Sequence, residues 1–335
     1  MKTRITELFG IQYPVILSGM SWVSTPELVA AVSEAGGLGI LATGTLTLAQ
    51  VREGIRRIRE LTDKPFGANV TLYFPGAERN AEILIEEQVP VVNYAMGKGD
   101  KICEAVHAYG GKVVATVTNA KHALAAQKAG ADALIVTGHE AAGHGGRVTS
   151  LVLVPSIVDQ VEIPVIAAGG FADHRGFQAA LALGAEGISM GTRFMASVES
   201  PVPQVLKDKA SQARVDQTLY SPKIDGIHAR MMVSPGSKRL ASRPLNPLNA
   251  LLKSRRIAEM MGFSWPKLAA GIMLSGPENA FRMARMALGF EAFERGMIDG
   301  DLDRGVLPLG QVAGLIHETL PVADIIRGVV GEDPR

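Results

Sequence analysis

The stretch best equipped for chemistry is Thr137-Gly138-His139-Glu140-Ala141-Ala142-Gly143-His144-Gly145-Gly146, which sets two imidazoles and a carboxylate among four glycines. A lone loop histidine is ordinarily just solvated. His144 stands between Gly143 and Gly145, where an adaptable backbone can hold the ring over a ligand, and the near-neutral titration of imidazole suits acid/base work. His139 competes for that role. A His139/Glu140/His144 metal set is conceivable, but the spacing offers no further convergent ligand, so a base is preferred to a metal site. Two glycine groups, Ala168-Gly169-Gly170 and Met190-Gly191-Thr192, follow apolar runs; their amides can approach a phosphate closely, although tight turns alone would also use them. Arg193 either neutralises that phosphate or makes a structural salt bridge. In Ser18-Gly19-Met20-Ser21-Trp22-Val23 the glycine admits a flat ligand to the backbone and Met20 can pack on a ring face, or the turn is simply buried with Trp22 as core. Asn69 interrupts an apolar run; if buried it needs partners, which a heterocycle could supply.

These residues need a scaffold, and the chain between Tyr13 and Phe194 provides a repeating one. Eight apolar runs, Val15–Met20, Gly37–Thr43, Phe66–Leu72, Pro90–Met96, Lys112–Thr118, Ala133–Gly138, Pro164–Gly170 and Gly187–Phe194, are apolar on both faces, as parallel strands covered by helices are. Between them lie helix-like stretches such as Pro26–Ala35, Leu48–Leu61, Asn119–Ala129 and Arg175–Leu183, several ending in glycine. Eight β/α units predict a (β/α)8 TIM barrel in the α/β class rather than an open doubly wound sheet, and no full G-x-G-x-x-G follows a strand. The two glycine groups then fall after strands seven and eight, the expected phosphate end of such a barrel. The expected division is a barrel over 1–199, a mostly helical insertion over the barrel mouth at 200–303, with loops at Pro222, Pro235, Pro244 and Pro247, and a return to the barrel at 304–335 that includes Leu307–Ile316 and a helix at Val322–Val330.

Composition excludes several function classes. With 335 residues and a formal net charge of +1 there is no global field to steer nucleic acid or an acidic membrane. The longest uncharged run, Ala35 to Val51, is shorter than the ~20 apolar residues of a membrane span and is broken by glycines and threonines. No export signal is read at the N-terminus, and the single cysteine, Cys103, fits a reducing cytoplasm. Between Gly226 and Ile257 seven basic residues (Arg230, Lys238, Arg239, Arg243, Lys253, Arg255, Arg256) occur without an acid, either as a solvated face or as a local attraction for a nitronate, a nicotinamide pyrophosphate or an acidic carrier protein. Eight of the 13 methionines lie in Met231–Met297, as helical core or as the wall of an apolar pocket.

Taken together, Gly19-Met20-x-Trp22, Asn69-Val-Thr, Glu140-Ala-Ala-Gly-His144, Ala167-Ala-Gly-Gly-Phe-Ala-Asp173, Ala179-Ala-Leu-Ala-Leu-Gly-Ala185, Met190-Gly-Thr-Arg-Phe194 and Gly300-Asp-x-Asp-x-Gly305 followed by Gly310-Gln311 resemble the nitronate monooxygenase family, formerly called 2-nitropropane dioxygenases. The resemblance runs from about Thr6 to Ile316. It implies an FMN-dependent barrel enzyme, with the flavin ring against Gly19, Met20 and Asn69, the phosphate at Gly169, Gly170, Gly191 and Thr192, His144 as the active-site histidine, Gln311 near the flavin edge, and no metal. The implied reaction is oxidation of alkyl nitronates, and of nitroalkanes if His144 removes their α-proton, by oxygen to a carbonyl compound and nitrite. The family also holds FMN-dependent enoyl-acyl-carrier-protein reductases and NADH:quinone reductases, so the alternative is an NAD(P)H-dependent FMN reductase of quinones or enoyl thioesters. Two positions depart from the family pattern. Ala142 replaces a frequent glycine, and Thr116 replaces the lysine of many quinone-reductase-like members, which removes a cation near the flavin. A non-redox phosphate-binding barrel is the alternative of another class. An inosine-monophosphate-dehydrogenase-like reaction needs a loop thiol, whereas Cys103 falls in an expected helix.

Overall fold

A computed structural model describes residues 1–73, 76–242, 244, 255, 258, 264–266, 270, 274 and 276–332. Eight parallel strands, β1 (Val15–Leu17), β2 (Gly39–Ala42), β3 (Phe66–Thr71), β4 (Val91–Ala95), β5 (Lys112–Val117), β6 (Ala133–Thr137), β7 (Val165–Ala168) and β8 (Gly187–Met190), pair in the order β1-β8-β7-β6-β5-β4-β3-β2. The ring is closed between its two ends by a parallel bridge, Ile16 to Leu38, with Leu17 N–H donating to Leu38 O at 2.9 Å. This is a (β/α)8 barrel. Its helices are α2 (Pro26–Glu34), α3 (Leu48–Leu61), α4 (Ala77–Glu86), α5 (Asp100–His107), α6 (Ala120–Lys128), α7 (Ser150–Val158), α8 (His174–Ala182) and the single turn α9 (Thr192–Met195), preceded by α1 (Arg4–Phe9). The αβ turns use glycine as the sequence implies: Gly130 and Gly184 carry φ of +96° and +88°, a region that side chains with a Cβ resist.

Residue parity along the strands explains why both faces read as apolar. Val92, Val113, Leu134, Val165, Ala167 and Ile188 pack outward with the helices. Ile16, Ile40, Val91, Val114, Ala133 and Ile166 form the lower interior of the barrel together with Ile5 and Phe9 of α1, which plugs the end where the strands begin. Higher in the barrel the inward positions turn polar: Asn69, Asn93, Thr116, Thr137 and Ser189 all face a cavity. A strand is therefore apolar where it is closed off and polar where it meets a ligand space.

Several strands are shorter than the sequence suggests. β1 stops at Leu17 and β8 at Met190; the residues beyond them, Ser18–Val23 and the α9 turn, belong to the mouth of the barrel. Beyond residue 200 the described residues hold α10 (Gln204–Ser211), α11 (Pro235–Ser242) and α12 (Pro277–Met297), and with these helices an antiparallel hairpin of β9 (Thr218–Ser221) and β10 (Ala229–Met232) that the sequence pattern does not single out. Four-residue strands are too short to show a period, and Ala229-Arg-Met-Met232 is as compatible with a helix as with a strand until a partner supplies its hydrogen bonds. Pro247, Arg243, Lys253, Arg256 and three of the methionines in Met231–Met297 lie outside the described residues. The chain returns through a 3-10 turn, Gln311–Leu315, and ends in α13 (Val322–Val330), whose apolar face packs against α2, α8 and α9. Among the described residues no helix is long and apolar enough to cross a membrane.

Candidate active site

The mouth of the barrel opens into a cavity of about 1220 Å³, beyond the ~300–1,000 Å³ of ordinary ligand pockets. Of the residues singled out in the sequence, Gly19, Met20, Asn69, His144, Gly169, Gly170, Gly191 and Thr192 all line it. Gln311 does not, although Gly310 and Val312 on either side of it do; its backbone N–H donates to Glu140 O at 3.0 Å and it opens the 3-10 turn.

One side of the cavity is built from backbone. Gly169 and Gly170 have φ of +91° and +90°, so the chain turns sharply off β7. A Cβ on Gly169 would lie 3.1 Å from both Ala141 N and Gly138 O, and one on Gly191 would lie 3.3 Å from Met20 Sδ. Both glycines keep backbone open where a phosphate could approach. Thr192 Oγ1 accepts from Gly310 N at 3.1 Å, tying α9 to the returning chain. Arg193 is 7% exposed, donates to Glu318 O at 2.9 Å and does not line the cavity. Among the described residues Arg193 forms no salt bridge; its guanidinium braces a backbone carbonyl instead, and burial lowers its pKa.

Next to it, the β1 and β3 ends interlock. A Cβ on Gly19 would collide with Asn69 Cγ at 2.7 Å, so only glycine lets the Asn69 amide lie across the end of β1. Asn69 Oδ1 accepts from Thr43 N at 3.1 Å and Nδ2 donates to Gly19 O at 3.4 Å. The protein itself meets much of the demand that a heterocycle was expected to meet, and Asn69 shapes a surface as well as offering a donor. Ser24 Oγ donates to Ser18 O at 2.7 Å and accepts from Met20 N at 3.0 Å, fixing the Gly19-Met20 turn. Trp22, in the same loop, has φ of +63°, uncommon for a bulky residue, and its ring meets Phe290 at 5.2 Å between centroids.

The opposite side depends on side chains from distant segments. His144 Nε2 is 2.6 Å from Asp225 Oδ2, with the histidine side chain 28% and the aspartate side chain 8% exposed. Asp225 lies in the turn of the β9–β10 hairpin, and Asp225 Oδ1 also accepts from Ile227 N at 3.1 Å. With Nε2–H given to the carboxylate, the neutral ring keeps Nδ1 unprotonated. The hairpin grips the histidine loop at further points. Gly143 and Arg230 exchange backbone hydrogen bonds of 2.9 and 2.8 Å, Arg230 Nε donates to His139 O at 3.1 Å, and Tyr220 Oη donates to Gly145 O at 2.9 Å. Arg230, first of the seven basic residues, is 3% exposed; its charge braces this loop and does not face solvent as an anion lure. Burial lowers its pKa.

His139 is occupied otherwise. Nδ1 lies 2.9 Å from Gly146 O, where it acts as donor, and its ring stacks edge-on against Tyr220. The Glu140 carboxylate accepts from Ser150 N at 3.0 Å at the start of α7, a helix end that welcomes negative charge. The three members of the conceivable metal set are thus held apart by separate tasks. Cys103 is buried in α5, and burial pushes its thiol up to about 11. Asp225 is the site residue that sequence reasoning missed; nothing local marks it, because its partner is 81 positions away.

Over the mouth, α12 turns one stripe toward the cavity: Met286, Phe290, Phe293 and Met297, at spacings of four, three and four, line it together with Trp22. A parallel barrel that combines a glycine-built strand-end turn, a histidine–carboxylate pair and an apolar roof is the framework of an enzyme acting on small molecules. The family follows from comparison with known proteins. A family model described as nitronate monooxygenase matches residues 2–332. The (3aS,4S,5R,7aS)-5-hydroxy-7a-methyl-1-oxo-octahydro-1H-indene-4-carboxyl-CoA dehydrogenase of Rhodococcus jostii (strain RHA1) is 36% identical over 337 residues, 99% of this chain and 96% of that protein. A probable nitronate monooxygenase of Staphylococcus saprophyticus is 35% identical over 277 residues, 69% of this chain and 78% of that protein. The solved structure of FabK from Thermotoga maritima matches with a TM-score of 0.80 at 40% identity, covering 99% of this chain and 96% of that one. The chain belongs to the nitronate monooxygenase family, and it is an oxidoreductase of a flavin-dependent group.

Proposed function

We propose that the chain is an FMN-dependent oxidoreductase in which His144, oriented by Asp225, removes the proton α to an electron-withdrawing group. The observation that carries this reading is the 2.6 Å contact between His144 Nε2 and Asp225 Oδ2 at the cavity wall. It leaves Nδ1 as the atom that takes the proton, and the ionised carboxylate stabilises the imidazolium that results. FMN fits the residues present: its phosphate against Gly169, Gly170, Gly191 and Thr192, its ring beside Gly19, Met20 and Asn69. When bound, the flavin would accept the substrate's electrons and pass them to oxygen. The substrate favoured by the family is an alkyl nitronate, or the parent nitroalkane after proton loss to His144, ending as a carbonyl compound and nitrite.

A second reading rests on the size of the cavity and the apolar stripe of α12. FMN would take part of the 1220 Å³, and a nitronate of a few carbons leaves the apolar stripe of α12 largely uncovered, whereas a bulky acyl thioester would cover it, and its α-proton is acidic for the same reason. An NAD(P)H-dependent reduction of a quinone or enoyl thioester would use the same pocket in the opposite direction. Anaerobic rapid mixing of the yellow protein with propionate 3-nitronate, 1-nitropropane, NADH and NADPH separates these readings. Fast bleaching by nitronate, with nitrite formed on admitting oxygen, supports the first. Bleaching by a nicotinamide alone, with no nitrite from any nitro compound, moves the assignment to the second. Denaturation should release FMN; recovery of FAD at one per chain would overturn the cofactor reading, since an adenylate needs room beyond the two strand ends at Gly170 and Thr192.

A further inference from the structure

The cavity does not end at the barrel mouth. Its lining runs past Thr116 and Thr118 into an open arm between the start of α5 and the length of α6, where Tyr94 and Ala126 are buried and Lys98, Asp100, His122 and Lys128 are exposed. The loop feeding α5 is Gly97-Lys98-Gly99-Asp100, and both glycines are sterically required: a Cβ on Gly97 would lie 2.4 Å from Leu72 Cβ, and one on Gly99 would lie 2.2 Å from Tyr94 Cζ. The loop is therefore pressed onto the barrel with the Tyr94 ring directly beneath it. Gly99 is the N-cap of α5 and no side chain caps that end, so the first-turn N–H groups of an eight-residue helix are left without intrahelical acceptors.

Two side chains add donors. Tyr94 points outward from β4, is 4% exposed, and its hydroxyl forms no hydrogen bond among the described residues although it borders the arm. A phenol whose hydroxyl meets the arm without a protein partner is free to donate to a ligand there. Asn119 Oδ1 accepts from His122 N at 2.9 Å, which identifies Nδ2 as the atom 3.0 Å from His122 Nδ1 and makes it the donor there. The neutral ring then carries its proton on Nε2, a donor for an anion. Lys98 and Lys128 bring two positive charges to the same arm, against the single carboxylate of Asp100.

From these groups we infer that the arm between α5 and α6 holds the phosphoryl end of a long substrate or co-substrate, a diphosphate tail such as that of a nucleotide-linked thioester or a nicotinamide dinucleotide. The arm lies three strands around the barrel from the strand ends proposed for the FMN phosphate, since β4 is three places from β7 and β5 three places from β8 in the strand order. A tail anchored at β4 and a flavin anchored at β7–β8 would meet from opposite sides near His144, which follows β6. The inference rests on the reading of the mouth as a redox site and deepens it by giving the substrate a charged, distant handle. Tyr94, Lys98 and His122 serve it as binding residues.

Isothermal titration of the flavin-loaded protein with inorganic pyrophosphate, coenzyme A and NADH tests it. Pyrophosphate should bind, Lys98→Ala should weaken it about tenfold and Tyr94→Phe about threefold, in line with the loss of charge-assisted and neutral hydrogen bonds. His144→Ala should leave pyrophosphate affinity unchanged, so a failure of the proton-transfer reading is visible separately. If Lys98→Ala weakens coenzyme A and leaves NADH-driven bleaching unaltered, the tail is that of a thioester; if NADH affinity falls instead, it is that of a dinucleotide. Equal affinity of wild type, Lys98→Ala and Lys98→Glu for all three probes, or no binding of any of them to the wild type, overturns the proposal.

Discussion

The two walls of the cavity are made in different ways. The β7–β8 wall is backbone: Gly169, Gly170 and Gly191 sit at strand ends within 23 residues of one another. Its geometry follows from where the strands stop. The histidine wall is a contact between side chains, with a loop after β6 and the turn of the β9–β10 hairpin joined by His144 and Asp225. The first can exist as soon as the barrel closes. The second exists only when a separate segment docks on the barrel, and Tyr220, Arg230 and the Gly143 bridge are what hold it there. A ligand that needs only a cradle can be held by the first wall, whereas proton transfer needs two groups held in register and so needs the hairpin.

The sharpest way to break this contrast is His144→Ala. It should retain fold and flavin yet lose turnover of neutral nitroalkane by roughly 10²–10⁴-fold, the range of a positioned base. Loss on preformed nitronate should be smaller, because no proton need be removed. If steady-state assays show His139→Ala to be the more damaging change, the assignment of the two histidines is reversed. Asp225→Asn is the next largest: the amide no longer holds the ring in the required tautomer, and turnover should drop by about 10²-fold, the low end of the range for a positioned base, with flavin absorbance unchanged. Loss of flavin from that variant would show the hairpin to serve the cofactor wall as well.

Gly170→Ala attacks the other wall. Its φ of +90° is costly for any residue with a Cβ, about 1–3 kcal/mol in strain, which is about five- to more than a hundredfold if expressed in cofactor affinity. Flavin fluorescence on dilution reads that affinity, and an unchanged value would mean the turn is not the phosphate cradle. Tyr220→Phe removes one hydrogen bond to the histidine loop and should cost about 1 kcal/mol, a few-fold in turnover, with flavin affinity untouched. The smallest effect is expected at Cys103. With its thiol near 11, only about one molecule in a thousand is thiolate at pH 8, so iodoacetamide should leave activity and mass unchanged until the protein unfolds. Rapid alkylation of the native protein would contradict the burial of α5 against the barrel.

Local pattern carried the scaffold a long way. Strands buried on both faces read as unbroken apolar runs, helices between them repeat at 3.6 residues, and glycine marks several of the αβ turns, so eight units and a barrel could be read from the chain before any contact was known. The strand-end glycines and His144 were legible for the same reason: their place is set by neighbours in sequence. Where each strand stops was less legible, because an apolar residue such as Phe194 looks the same in a strand and in the turn that follows one.

What only the tertiary structure decided was who meets whom. Short strands have no period of their own, so the β9–β10 hairpin took its form from the pairing of Ala229–Met232 with Thr218–Ser221 and from the Gly143 bridge. Asp225 gained a role only because that hairpin brought it 2.6 Å from His144. Arg230, read in the chain as part of a basic run, became a buried brace, and Gln311, one residue past the cavity-lining Gly310, turned its backbone to Glu140. Sequence periodicity encodes which face of an element is buried, since burial repeats with the backbone. Contacts between residues far apart in the chain carry no period, and they are fixed only when the packed elements bring specific donors and acceptors within hydrogen-bond reach.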